Sequence, residues 1–251
     1  MRARTGRVLV IPAAGRGSRL QSDRPKALVR VAGRPMLDWL LDLYRPYIDR
    51  IVVVAHPCFR GEVERWGEDY GGVDVVEQPS PTGMLDAILL SSAAAVGSAP
   101  DWVWITWCDQ IGVMPATVAG LVAETSARGR ALVLPTVRQR DPYIHFERDA
   151  SGRIARVLQR REGDAMPAEG ESDMGLFALT RRAFEHDLQL YSTQAGVSGG
   201  TGERNFLPFI PWLAARGDVA TFPSTDPMEA LGVNTPQDMQ MMEQWLRERP
   251  R

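Results

Sequence analysis

One lysine, Lys26, stands among the 29 Lys and Arg side chains of this 251-residue chain. It follows the segment Pro12-Ala13-Ala14-Gly15-Arg16-Gly17-Ser18-Arg19 by a few positions, with Arg24 just before it. Small residues and glycines at the end of an apolar run expose several backbone N–H groups in one concave turn, a cradle for phosphate oxygens. A lysine ammonium is a compact point charge on a flexible stem and suits a crowded phosphate, whereas arginine offers a wide planar fork. A tight turn alone leaves Arg16, Arg19, Arg24 and Lys26, gathered within eleven positions, unexplained. These residues point to polyanion chemistry.

A carboxylate that could complement those cations is Asp109, which follows the apolar run Trp102-Val103-Trp104-Ile105-Thr106-Trp107-Cys108. Ligands of open α/β sheets gather at the carboxyl ends of strands, so a carboxylate there can hold a metal. Two familiar phosphate-binding devices are excluded by named residues. A P-loop needs Gly-x-x-x-x-Gly-Lys-Ser/Thr, which is absent, and a dinucleotide fingerprint needs a third glycine where Leu20 stands. The second strand ends Val54-Ala55-His56-Pro57, without the carboxylate that a ribose would require. Cys58 and Cys108 make no disulfide framework and are read as reduced, structural thiols. Three scattered histidines have no zinc spacing, and no Ser–His or His–Asp pairing presents itself.

The elements that must position these groups read as an α/β fold. Continuous apolar, β-branched runs at 7–11, 51–55, 73–77, 102–107 and 131–135 predict strands covered on both faces. Between them, helical spacing predicts helices from Pro35 through Tyr44, near 59–67, at 84–95 and at 115–127. That alternation implies a mostly parallel twisted sheet with helices on both faces, Rossmann-like in outline. Beyond residue 137 the pattern turns β-rich: a hairpin around Asp149-Ala150-Ser151-Gly152, a polar stretch at 159–172 and a strand at 174–179. A mobile loop at 197–202, a helix at 206–216, a strand at 219–222 and a helix at 235–247 complete the chain, with Asn234 or Thr235 as cap of the last helix. The expected organisation is a single domain over 1–251, with an α/β half at about 1–136 and a β-rich substrate half at about 137–240.

Ala13-Ala14-Gly15-Arg16-Gly17-Ser18-Arg19-Leu20, then Pro25-Lys26 and Gly33-Arg34-Pro35-Met36, resembles the signature of sugar-1-phosphate nucleotidyltransferases. The resemblance implies that Ala13, Ala14, Gly15, Arg16 and Gly17 wrap a nucleoside triphosphate. Arg19 would hold its β- and γ-phosphates, and Lys26 would bridge phosphates of both substrates. Gln78-Pro79-Ser80-Pro81-Thr82-Gly83 resembles the base-reading segment of the thymidylyl- and uridylyltransferases, which implicates Gln78, Thr82 and Gly83. By the same likeness Asp109 and, in Gly232-Val233-Asn234, Asn234 would hold Mg²⁺. Tyr143, Arg160, Arg161, Asp173 and Gly175 would face the acceptor, although this half departs from the family. Tyr143 stands where a glycine is frequent, Gln159 or Arg160 falls at an acidic position, and Asp173-Met174-Gly175 replaces Asn-Thr-Gly.

The implied reaction joins a nucleoside monophosphate to a sugar 1-phosphate, yielding an NDP-sugar and pyrophosphate. Two alternatives stand beside it: a cytidylyltransferase acting on a polyol phosphate or other small phosphoester, and a non-catalytic nucleotide-sensing relative. An attached acyltransferase half is not expected, since no hexapeptide repeat occurs. The formal net charge of −2 disfavours a broad nucleic-acid or anionic-membrane surface. A nucleoside triphosphate and a sugar 1-phosphate are therefore the expected partners, without nucleic acid or membrane, and homo-oligomerisation is left open. No long apolar run or signal-like segment is present, which gives the expectation of a cytoplasmic protein.

Overall fold

The computed structural model describes residues 6–249 other than Arg16, Gln21, Asp23 and Arg128. In chain order, β1 (Arg7–Pro12) leads to the small ribbon β2 (Arg30–Val31) and β3 (Arg34–Pro35), then α1 (Met36–Tyr44) and β4 (Arg50–Ala55). Next come α2 (Arg60–Glu68), β5 (Asp74–Glu77), α3 (Met84–Leu90), α4 (Ser92–Val96), β6 (Trp102–Thr106), α5 (Pro115–Thr125) and β7 (Arg130–Arg140). The second half contains β8 (Ile144–Arg148), β9 (Ile154–Gln159), β10 (Glu169–Asp173), β11 (Leu176–Thr180), α6 (Leu188–Ser192), α7 (Phe209–Ala214), β12 (Asp218–Ser224) and α8 (Pro236–Glu248).

Eight strands form one mixed sheet in the order β10-β7-β11-β6-β1-β4-β5, with β12 also on β7. β1 lies parallel between β4 and β6, and β5 continues parallel on β4. Their carboxyl ends therefore share one edge of the sheet, where the segments beginning at Ala13, Gln78 and Trp107 emerge. β10 and β11 run in succession antiparallel to β7, and β12 runs parallel along its other side. The strands are apolar on both faces because both faces are covered. Leu9, Ile11, Val53 and Trp104 belong to one cluster with α1, α5 and α8 residues such as Leu40, Leu121 and Met242. Val8, Val10, Val52 and Ile105 belong to the other, with Ile88, Leu188 and Ile210 from α3, α6 and α7. Among the described residues no helix is long and apolar enough to cross a membrane.

Some expected elements have different limits. The helix expected over 84–95 is interrupted at Ser91, whose hydroxyl donates back to the Ile88 carbonyl at 2.6 Å. The strand expected over 131–135 continues to Arg140 because β10 supplies pairing partners over its second half. The hairpin forms as β8–β9. The loop at 197–202, expected to be mobile, is anchored through the Ser198 and Thr201 hydroxyls, both bonded to the Glu162 carboxylate. Trp102 and Trp104 are buried in the core, whereas Trp107 is only partly covered.

Between β10 and β11 the chain breaks at Asp173-Met174-Gly175, and the Gly175 carbonyl accepts from the Trp107 N–H at 3.0 Å. Gly175 has φ +63°, and a Cβ there would lie 2.6 Å from Trp107 Cδ1 and 3.0 Å from Gln110 Cγ. Left-handed backbone and overpacking each cost on the order of 1–3 kcal/mol. Gly175→Ala is thus expected to lower stability by about 2–5 kcal/mol in urea titration. A variant with an unchanged urea midpoint would show that this break tolerates a side chain.

Candidate functional site

Three segments distant in sequence converge at the shared strand edge. The first is the 3₁₀ turn Lys26–Leu28, whose Ala27 and Leu28 are buried and fix where the Lys26 side chain leaves the core. Gly17, at φ +65°, lies over it, and a Cβ there would come within 2.9 Å of Lys26 Cβ. A non-glycine residue would therefore push the lysine stem aside. The second segment carries Asp109 beyond β6. The third joins β12 to α8 and carries Asn234.

Lys26 Nζ donates to Asp109 Oδ2 in an ion pair whose side chains are only 13% and 14% exposed. It also donates to Asn234 Oδ1 at 2.8 Å, and Arg19 NH2 donates to the same oxygen at 3.0 Å. Two cations and two oxygen acceptors are thus drawn together. Thr235, not Asn234, caps α8: its hydroxyl accepts from the Asp238 N–H at 3.1 Å, and the Asp238 carboxylate accepts from the Asn234 and Thr235 N–H groups. Capping by Thr235 leaves the Asn234 amide free to face Lys26. Gly232 keeps the same space open, since a Cβ there would lie 3.1 Å from Asn234 Nδ2 and 3.4 Å from Asp109 Oδ2.

Asp109 and Asn234 offer hard oxygen donors, one charged and one neutral, converging on one cation. Such a pair suits Mg²⁺, which takes one or two carboxylates and leaves remaining positions to water and substrate phosphates. Among the described residues no group of three or more His, Cys, Asp or Glu side chains could hold a metal ion, so a site built wholly from such ligands is not offered. Cys108 is no nucleophile, because burial and the neighbouring Asp109 charge push its thiol up to about 12. The histidines bond elsewhere: His56 to the Cys58 N–H, His145 to the Glu171 carbonyl and His186 to Asp187.

Of the other residues singled out by sequence, Ala13 is buried and donates its N–H to the Val54 carbonyl at 2.7 Å, whereas Ala14 and Gly15 are progressively more exposed. Among the described residues nothing lies within 4 Å of a Cβ built on Gly15. Arg16 lies outside the described residues. Gln78 is buried, and its Nε2 donates to the Gly83 carbonyl at 3.0 Å, with Thr82 Oγ1 at 3.4 Å. Gly83 is demanded by its surroundings: at φ +120°, a Cβ would lie 2.3 Å from the Arg204 carbonyl oxygen.

The expected acceptor residues fall into two groups. Asp173 and Gly175 lie beside Trp107 at the edge that carries Asp109. Arg160 pairs with Asp141, Arg161 makes two bonds to Glu203, and Tyr143 is 50% exposed. None of these three bonds to Lys26, Asp109 or Asn234. Residues that sequence reasoning missed are Trp107, Gln110, Asn205 and Glu229. Asn205 donates to Gln159 Oε1, and Gln110 Nε2 donates to the Glu229 carbonyl at 3.2 Å. Isolated amides and a lone glutamate carry no sequence signal, since only tertiary packing reveals their partners.

Asp173 is buried, which pushes its carboxyl up to about 6; the Gly175 N–H donated to it at 2.9 Å opposes the shift, and the Asp109 charge adds to it. A folded pKa above the unfolded one favours folding below about pH 4, and that contribution is lost as pH rises through about 6. Asparagine keeps an acceptor for Gly175 without a charge to bury. In metal-free buffer, Asp173→Asn is therefore expected to raise Tm relative to the parent at pH 7.5, with the difference shrinking toward pH 4. A difference independent of pH would rule out titration of this carboxyl as the cause.

Residues 9–173 match the MobA-like NTP transferase domain. The chain is similar to the bifunctional protein GlmU of Pelotomaculum thermopropionicum, at 30% identity over 249 residues that cover 96% of this chain and 52% of that protein. It is 29% identical over 236 residues to GlmU of Geobacter metallireducens, covering 90% of this chain and 47% of the relative. GlmU of Cupriavidus necator is 36% identical over 165 residues, covering 64% and 34% respectively. The chain spans about half the length or less of these curated relatives. With the matched domain covering well over half of its residues, the chain belongs to the MobA-like NTP transferase family and is a nucleotidyltransferase.

Proposed function

We propose that this nucleotidyltransferase moves a nucleoside monophosphate from a nucleoside triphosphate to a sugar 1-phosphate, giving an NDP-sugar and pyrophosphate. The observation that supports the reading best is the junction of Lys26, Arg19, Asp109 and Asn234 at the carboxyl ends of parallel strands. Residues 1–136 would serve the nucleotide and residues 137–240 the acceptor.

The triphosphate would lie along Ala13, Ala14, Gly15 and Gly17, with its base toward Gln78, Thr82 and Gly83. Arg16 belongs to the same loop by sequence. The open space over Gly15 favours close approach of a phosphate to the backbone. An oxygen of the acceptor phosphate attacks the α-phosphorus, and the bond to the β-phosphate breaks, releasing pyrophosphate. That oxygen is already an anion, so no general base is needed. The demand is instead for positioning and for cancelling repulsion between two polyanions. Lys26 supplies a positive charge where the phosphates meet, and Arg19 does so on the side of the departing pyrophosphate. Tyr143, Arg160, Arg161, Asp173 and Gly175 would orient the acceptor.

Members of the family generally use a divalent metal. Asp109 and Asn234 would hold Mg²⁺ here, and when bound the ion would supply charge neutralisation between the α-phosphate and the incoming phosphate. Lys26 bonds the same two oxygens, so its ammonium is within reach of the place where these charges gather.

Lys26→Ala and Asp109→Ala are each expected to lower turnover by about 10²–10³-fold, measured as pyrophosphate release. Lys26→Arg should also lose about tenfold or more, because a planar fork cannot replace a point charge reaching both oxygens beneath Gly17. Near-parental release by Lys26→Ala or Asp109→Ala would defeat the assignment. A panel pairing each nucleoside triphosphate with sugar 1-phosphates, polyol phosphates and other phosphoesters tests the acceptor. Preferential turnover of a polyol phosphate would replace the sugar in this reading.

A further inference from the structure

Glu229 is 4% exposed, and its carboxylate is held entirely by neutral donors. Oε2 accepts from the Met114 N–H at 2.8 Å and from the Thr117 hydroxyl at 2.6 Å, while Oε1 accepts from the Ser224 hydroxyl. Burying a carboxylate is costly unless hydrogen bonds satisfy it, and a well-packed apolar side chain often stabilises more. Its location gives the expense a purpose. Met114 and Thr117 lie at the start of α5, where the segment carrying Asp109 ends. Ser224 ends β12, and Glu229 itself precedes Asn234 in the connection to α8.

Further contacts run in parallel between the two segments. The Val233 N–H donates to the Asp109 carbonyl at 3.1 Å, and Gln110 Nε2 donates to the Glu229 carbonyl at 3.2 Å. The segments approach so closely that a Cβ on Gly112 would lie 2.6 Å from the Met228 carbonyl oxygen. Among the described residues no strand pairing joins them here, and these bonds help to fix the separation of Asp109 from Asn234. The Glu229 carboxylate contributes two of them, from Met114 and Thr117, while Ser224 holds it from its own segment.

We infer that Glu229 is a positioning residue that sets the spacing of Asp109 and Asn234 and thereby preorganises them for a divalent cation. The inference rests on the reading of Asp109 and Asn234 as metal ligands. Glu229 does not touch the cation. Its replacement by leucine keeps roughly the volume but offers no acceptor, so all three carboxylate bonds are lost. Partners that orient metal ligands typically change metal affinity by about 10–100-fold when altered.

The test is titration of the full chain with Mn²⁺ alone, following free Mn²⁺ by electron paramagnetic resonance, with near-UV circular dichroism and Tm as checks of folding. Asp109→Ala should abolish the bound fraction. Glu229→Leu should weaken Mn²⁺ binding by about tenfold or more. Thr117→Val removes a single donor of the facing segment and should weaken it by a smaller factor, which keeps the inference testable if Glu229→Leu fails to fold. Leu213→Ala, a core truncation in α7, provides a destabilised reference that should bind Mn²⁺ as the parent does. Parental affinity in folded Glu229→Leu, or in Thr117→Val if the leucine variant does not fold, overturns the role of Glu229. So does equal weakening in Leu213→Ala, which would make metal affinity a mere follower of stability. Parental affinity in Asp109→Ala overturns the metal-ligand reading itself.

Discussion

The candidate site depends on one ammonium group held between two oxygens. Lys26 reaches Asp109, 83 residues away in sequence, and Asn234, 208 residues away. In that largely covered position, removing any one member leaves the others with unmatched charge or polarity. A small head on an unbranched stem satisfies both oxygens at once, whereas a guanidinium needs more room. The surrounding fold is arranged so that this reach is possible. Parallel pairing of β1 with β6 brings the glycine-rich loop and Asp109 to one edge, and the β12–α8 connection brings Asn234 across from the other end of the chain.

Glycine has distinct purposes around this junction. Gly17 and Gly232 preserve space beside the Lys26 stem and the Asn234 amide, Gly83 lets the Arg204 backbone pass closely, and Gly175 makes room for the Trp107 and Gln110 side chains. Among the described residues nothing lies within 4 Å of a Cβ built on Gly15, so the loop is open on that face. The carboxylates likewise divide by environment. Asp109 pairs with Lys26, whereas Asp173 is buried, and desolvation pushes its carboxyl above the usual carboxylate range.

The polar residues of the second half of the chain are placed differently. Arg160 and Arg161, which look available in sequence, are paired with Asp141 and Glu203. The glutamine of the presumed base-reading segment is likewise turned toward its own loop, bonding Gly83. Recognition of a base or a sugar at these positions would therefore exchange existing hydrogen bonds rather than fill empty ones. Such exchanges favour ligands that return equivalent bonds and reject those that do not.

Much of the fold was legible in order and type. Strands 7–12, 50–55 and 102–106 announce themselves as continuous apolar runs because both faces of the sheet are covered. The glycine-rich loop with Lys26, and Asp109 at the end of its strand, were visible because residue type and local spacing carry that information. Thr235 and Asn234 could not be separated as cap and ligand candidate by sequence, since both are adequate caps. The structure separates them, because the Thr235 hydroxyl bonds the Asp238 N–H while the Asn234 amide meets Lys26 and Arg19. Glu229 was invisible for the same reason. Local composition determines which elements form and which groups are chemically able, whereas only packing between distant segments decides which polar groups are buried together and so which of them must act as partners.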